Sequence, residues 1–111
     1  MCGDASLSSC ADLWGNKCVD LTDAQVDAYP PLTLNLDGAD LEMSSRDYLL
    51  KGSPLATAAG QYCLGIRDGG SAGGSGFIIG DTTMRNYYLV FDLEEKKIGW
   101  GKVNKDACGS V

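Results

Sequence analysis

The side chains most able to do chemistry in this sequence are carboxylates and thiols: 15 Asp and Glu, five Cys and no His. Without an imidazole, neither a Ser-His-Asp nor a Cys-His arrangement can be assembled, because the base that activates the nucleophile is missing. The glycine-rich stretch DGGSAGGSG, Asp68 to Gly76, has neither the lysine of a phosphate-binding loop nor the spacing of a dinucleotide fingerprint. Asp37 with Asp40, and Glu94 with Glu95, fall at turns and read as solvated carboxylates. Calcium ligation by Asp37 and Asp40 would leave most of the required oxygens unaccounted for. Cys2, Cys10, Cys18, Cys63 and Cys108 contain no Cys-x-x-Cys, so a zinc site is disfavoured and disulfides in an oxidising compartment are expected. The odd count leaves one thiol free or paired outside the sequence given. No cofactor or metal is implied.

The elements that position these groups are short. Leu7, Cys10, Ala11 and Trp14 fall at helical spacing within Ser6 to Gly15, with Gly15-Asn16 as a stop. Thr22 and Gln25 have capping-box spacing, and Pro30-Pro31 ends any helix that follows. The period then changes to two. Leu32, Leu34 and Leu36 alternate with Thr33 and Asn35, Asp37-Gly38 supplies a hairpin turn, and a return strand runs through Leu41 and Met43. Ser44 or Ser45 caps a turn holding Arg46 and Asp47. Lys51 to Gly60 reads as a loop, Gln61 to Ile66 as a core strand, and Asp68 to Gly76 as an exposed connection. Phe77-Ile78-Ile79 is an apolar run consistent with a buried strand. Tyr87 to Phe91 and Lys97 to Val103 flank Leu93 to Lys96 as a hairpin.

The 111 residues suit one domain, residues 1–111, with one modest core. The formal net charge of -6, without a basic cluster, argues against nucleic acid or an anionic membrane surface as partner. No apolar run approaches the roughly 20 residues of a membrane span. The first ten residues lack the basic and apolar regions of a signal peptide, so a targeting segment is expected elsewhere if the chain is secreted.

One longer pattern stands above these local signals. Phe77-Ile78-Ile79-Gly80-Asp81, then Arg85, Tyr87-Tyr88, Val90-Phe91-Asp92 and Lys97-Ile98-Gly99-Trp100 resemble the C-terminal end of pepsin-like aspartic proteases. Upstream, Cys18-Val19-Asp20-Leu21, Pro31 to Leu34, Asp37 to Leu41, Tyr48-Leu49 and Tyr62 to Gly65 fall in the order seen in the plant-type, nepenthesin-like branch. The resemblance covers about Cys18 to Cys108. It implies a mostly β fold: part of the C-terminal lobe of a pepsin-like bilobal β-barrel, with two or three short helices. It also implies that Ile78, Ile79 and Gly80 support the turn bearing a catalytic aspartate, and that Gly65 to Gly76 borders the primed side of a substrate cleft. By the same resemblance Cys18 pairs with Cys63, closing a loop worth roughly 3 to 4 kcal/mol in the chain-entropy model. Cys108 would pair near the start of the lobe, with Cys2 or Cys10 as candidates if that region is retained.

The departure from the family is in the catalytic apparatus. The proteases use two aspartates, one per lobe, each in an Asp-Thr/Ser-Gly turn, and neither sequence occurs here. Asp81-Thr82-Thr83 follows the Ile-Ile-Gly element, where the family has a structural aspartate, and Thr83 replaces the glycine a tight turn needs. No catalytic residue is therefore assigned. The expectation is a lobe segment, as fragment, processed chain or short gene product, that is inactive alone and whose aspartates come from other sequence. Its partners would be the remainder of the protease, with a peptide substrate bound only in the assembled enzyme. Such a protein would be secreted, or reside in a vacuole or other endomembrane lumen. The alternative is a non-catalytic module that keeps the β fold as a binding or assembly subunit.

Overall fold

A computed structural model of the chain describes residues 2–74, 76 and 78–104. The order is α1 (Cys10–Trp14), β1 (Val19–Asp20), α2 (Asp23–Asp27), β2 (Leu32–Leu36), β3 (Ala39–Met43), α3 (Ser45–Tyr48) and β4 (Leu49–Lys51). Then follow β5 (Gln61–Leu64), a 3-10 turn (Gly70–Gly73), α4 (Asp81–Met84), β6 (Tyr87–Asp92) and β7 (Lys97–Lys102). The fold is mostly strand with short helices, as a partial pepsin-like lobe should be. The described residues hold four α-helices, where two or three are expected from the sequence.

Local chemistry accounts for most of these boundaries. Thr22 caps α2 reciprocally: its hydroxyl accepts from the Gln25 N–H at 3.2 Å, and its own N–H donates to Gln25 Oε1 at 2.9 Å. Ser44 does the same work for α3, donating its N–H to the Asp47 carboxylate at 2.8 Å and its hydroxyl at 2.9 Å. In the β2–β3 hairpin the turn places Leu36 opposite Ala39, with Gly38 at φ +85°, a conformation L side chains rarely adopt. The leucines of β2 are half-buried and Thr33 and Asn35 exposed, which is the alternation a one-sided strand requires.

Helix α1 is shorter than the sequence pattern suggests. Ser9, at its N-cap, is left-handed (φ 59°), which prevents the helix from extending back to Ser6. Its buried face carries Cys10 and Leu13, whereas Trp14 is 43% exposed, so Leu13 takes the core position the spacing assigned to Trp14.

The core lies where the first three helices meet the three-stranded sheet, ordered β1-β5-β4 and antiparallel throughout. Leu13, Val26, Tyr48 and Leu49 are essentially inaccessible, and Leu7, Tyr29, Met43 and Tyr62 pack with them. The three buried tyrosines keep their hydroxyls satisfied, Tyr29 donating to the Ser8 carbonyl, Tyr48 to that of Pro30 and Tyr62 to the Asp23 carboxylate at 3.4 Å. Cys18 and Cys63 are bonded, tying β1 to β5 across 45 residues. Cys2 and Cys10 are bonded to each other, so neither is the partner the resemblance suggested for Cys108. Cys108 itself lies outside the described residues.

The remaining strands form two isolated hairpins, β2–β3 and β6–β7, among the described residues. Both edges of each are unpaired there, and two-stranded ribbons gain little stability on their own. The Cα radius of gyration, 15.6 Å, exceeds the ~13 Å expected of a compact chain of this length.

Candidate functional site

An apolar groove opens between the β2–β3 hairpin, the end of β5 and the segment that enters α4. Its volume is about 300 Å³; Leu32, Leu34 and Met43 form one wall, Ile66 and Gly65 another, and Ile78, Ile79 and Gly80 the third, with Thr82 and Thr83 at the end. Ile78 and Ile79 are not in a strand. Ile78 is 85% exposed and Ile79 half-buried, which corrects the expectation of a buried strand over this run. Phe77 lies outside the described residues. An isoleucine this exposed forgoes roughly 2 kcal/mol of transfer free energy, and it stands beside a groove with matching apolar walls.

A rigid joint holds the groove's end. The Thr82 hydroxyl donates to the Gly65 carbonyl at 3.0 Å, and the Gly65 N–H donates to the Tyr48 carbonyl at 2.8 Å, linking α4, β5 and α3. Gly65 permits this approach because it has no side chain. A Cβ there would sit 2.7 Å from Thr82 Oγ1 and 3.1 Å from Leu50 Cδ1. Thr83, buried, directs its hydroxyl to Met43 Sδ at 3.3 Å, and the Gly80 carbonyl accepts the N–H groups of Thr83 and Met84. The Asn86 amide donates to the Thr82 carbonyl at 3.1 Å, and the Tyr87 hydroxyl to that of Glu42 at 2.9 Å, which fastens the last hairpin to β3.

None of this supplies acid–base machinery. Asp81 is exposed at the first turn of α4, with its backbone carbonyl accepting from the Arg85 N–H. Asp40 is held by the Asn35 amide at 2.8 Å, beside the hairpin turn. Among the described residues no group of three or more metal-ligating side chains comes together. Burial raises the Tyr48 phenol to about 12, with the Tyr29 phenol adding to the effect, and burial raises Tyr29 too; both tyrosines belong to the core rather than to the groove.

Residues 11–102 match the xylanase inhibitor C-terminal family. The chain belongs to this family. Similarity to pepsin-like aspartic proteases extends over much of the same region. Bovine cathepsin D is 33% identical over 75 residues, which is 68% of this chain and 19% of that protein. Aspartic proteinase 36 of Arabidopsis thaliana is 30% identical over 105 residues, 85% of this chain and 21% of that protein. Aspartic protease 1 of Caenorhabditis elegans is 28% identical over 88 residues. The chain spans about one fifth of the length of these relatives. Its kinship with the C-terminal lobe of aspartic proteases therefore rests on both the family match and the individual relatives.

The sequence could not have disclosed the Gly65–Thr82 joint or the Thr83–Met43 contact. Both join residues 17 or 40 positions apart through side-chain approach, and no local pattern encodes that. The sequence signals at this site were the apolar run Phe77 to Ile79 and the resemblance that assigned Ile78, Ile79 and Gly80 to the support of a catalytic turn.

Proposed function

We propose that this chain is the C-terminal lobe segment of a pepsin-like aspartic endopeptidase, that Ile78, Ile79 and Gly80 support the floor of its active site, and that the catalytic aspartates are supplied by other sequence. The observation that carries the reading is the groove itself, with an 85% exposed isoleucine at its mouth, two half-buried leucines along its wall and a locked joint at its end. An extended segment inserted there would bury Ile78 and pair with an open strand edge, both favourable changes in water. The missing Asp-Thr/Ser-Gly turns make the chain inactive by itself, since one carboxylate without its proton-sharing partner cannot activate water in this chemistry. Peptide binds only in the assembled enzyme. Two disulfides suit an oxidising setting, and we place the protein outside the cell or in a vacuolar or other endomembrane lumen.

A second reading is favoured by one observation: the family that matches carries the name of an inhibitor, not of a protease. On that reading the lobe is a non-catalytic module that binds another protein. Isolation of the native material separates the two. A stoichiometric companion carrying Asp-Thr-Gly or Asp-Ser-Gly, lost when Ile78 and Ile79 are both replaced by Glu, supports the protease; a companion of unrelated function overturns it.

A further inference from the structure

A second cavity, of about 480 Å³, lies on α3, β4, the turn after β4, Tyr62 of β5 and Arg85 at the end of α4. We infer that it is a carboxylate-binding site, and that its occupant is an acidic side chain of a partner polypeptide. Leu49, Leu50 and Pro54 line it with apolar surface, and Arg46, Lys51 and Arg85 stand around it. Three of the nine basic residues of a chain with net charge -6 thus meet at one cavity.

Their engagements differ. Arg46 is committed: its guanidinium is bidentate on Asp27 at 2.9 and 3.1 Å, with Asp23 at 3.8 Å. Lys51 and Arg85 have no carboxylate within ion-pair distance among the described residues. Lys51 rests its ammonium 5.8 Å from the centre of the Tyr62 ring, and Arg85 spends one nitrogen on the Asp47 carbonyl at 3.3 Å. Both therefore keep donors free for an anion.

The surroundings select the type of anion. Asp23 and Asp27 face Arg46 and offset its charge, whereas the Asp47 carboxylate caps α3 and lines a different cavity, which leaves Lys51 and Arg85 as the cations open to a ligand. A carboxylate on an organic stem suits this lining better than inorganic phosphate, which brings no apolar surface to Leu49, Leu50 and Pro54. The apolar lining favours an organic stem behind the charge, and the planar guanidinium of Arg85 matches a carboxylate in shape. An aspartate or glutamate side chain has both features. This inference stands apart from the proposed protease role, because the cavity shares no residue with the groove.

The test is a titration of the whole chain followed by amide chemical shifts, with N-acetylglutamate amide, its uncharged glutamine counterpart and inorganic phosphate as probes. The expected result is saturable shifts at Lys51, Gly52, Ser53 and Arg85 with the glutamate probe alone. Lys51→Gln and Arg85→Gln should each weaken it about threefold, the range of an exposed ion pair, and added salt should weaken it further. Lys97→Gln, on the last hairpin, should change nothing. Equal shifts with the glutamine probe, binding of phosphate as tight as that of glutamate, or affinity unaltered in both variants would each overturn the proposal. Spectra of the variants, otherwise superimposable on the parent, show that folding is not what changed.

Discussion

Gly65→Ala tests whether the groove's end is held by a joint between β5 and α4. Gly65 has no positive φ, so on backbone grounds alanine should stabilise by about 0.5 to 1 kcal/mol through a less flexible unfolded chain. The contacts oppose this. The added methyl would lie 2.7 Å from Thr82 Oγ1 and 3.0 Å from Thr82 Cγ2, so Thr82 must turn away and its 3.0 Å bond to the Gly65 carbonyl is lost. Overpacking costs about 1 to 3 kcal/mol and the bond about 1 kcal/mol, so the net expectation is a loss of about 2 kcal/mol, close to 8 °C in Tm for a chain of this size. Thr82→Ala alone removes the bond and should cost about 1 kcal/mol. In the double variant both clashing atoms are gone, leaving only the flexible end of Leu50 at 3.1 Å, and Gly65→Ala should then cost almost nothing. Urea melts of the parent, the two single variants and the double variant measure this. A coupling near 2 kcal/mol is expected; effects that add to within about 0.5 kcal/mol would refute the joint.

Three further outcomes follow from the same structure. Removing the Cys18–Cys63 bond as the double Ser variant should cost about 4 kcal/mol in the chain-entropy model, against about 2.5 kcal/mol for Cys2–Cys10, because the closed loops span 45 and 8 residues; paired denaturant melts give the order. Ultraviolet titration should show Tyr48 ionising near pH 12, and Tyr48→Phe should delete that step. Because burial raises the folded value above the unfolded value near 10, the stability linked to Tyr48 is full below pH 10 and is lost as pH rises toward 12, so Tm should fall across that window. For Asp27 the sign reverses: the hydrogen bond and charge of Arg46 lower its carboxyl, so that contribution is present at neutral pH and is lost only as acid passes below the ordinary carboxylate range. Arg46→Gln should return the Asp27 titration, followed by carboxyl carbon shifts, to that ordinary range.

What could be read from the sequence and what could not divide along the range of the interaction. The capping pair Thr22 and Gln25, the Asp37-Gly38 turn and the alternating leucines of β2 are decided by neighbours within a few residues, and each forms where its pattern indicates. The last hairpin, closed by residues 93–96, is local in the same sense. Ser9 shows the limit: a left-handed residue inside an otherwise helical pattern shortens α1 and moves Leu13 into the core. At the candidate site the order of residues, not their periodicity, revealed the kinship with aspartic proteases, while the apolar run Phe77 to Ile79 suggested burial that Ile78 does not have. An apolar residue follows the same local rules whether its cover is local or supplied by another segment. Arg46 reaching Asp27 across 19 positions, and the cations around the second cavity, had no local signature at all.

The most direct test of the central claim is an acid peptidase assay of the isolated chain beside the native assembly, each with and without a transition-state analogue of peptide hydrolysis. The account predicts no cleavage by the chain alone and analogue-sensitive cleavage by an assembly that contains it together with an Asp-Thr/Ser-Gly companion. Cleavage by the purified chain itself, or a native assembly with no such companion and no acid peptidase activity, would contradict it.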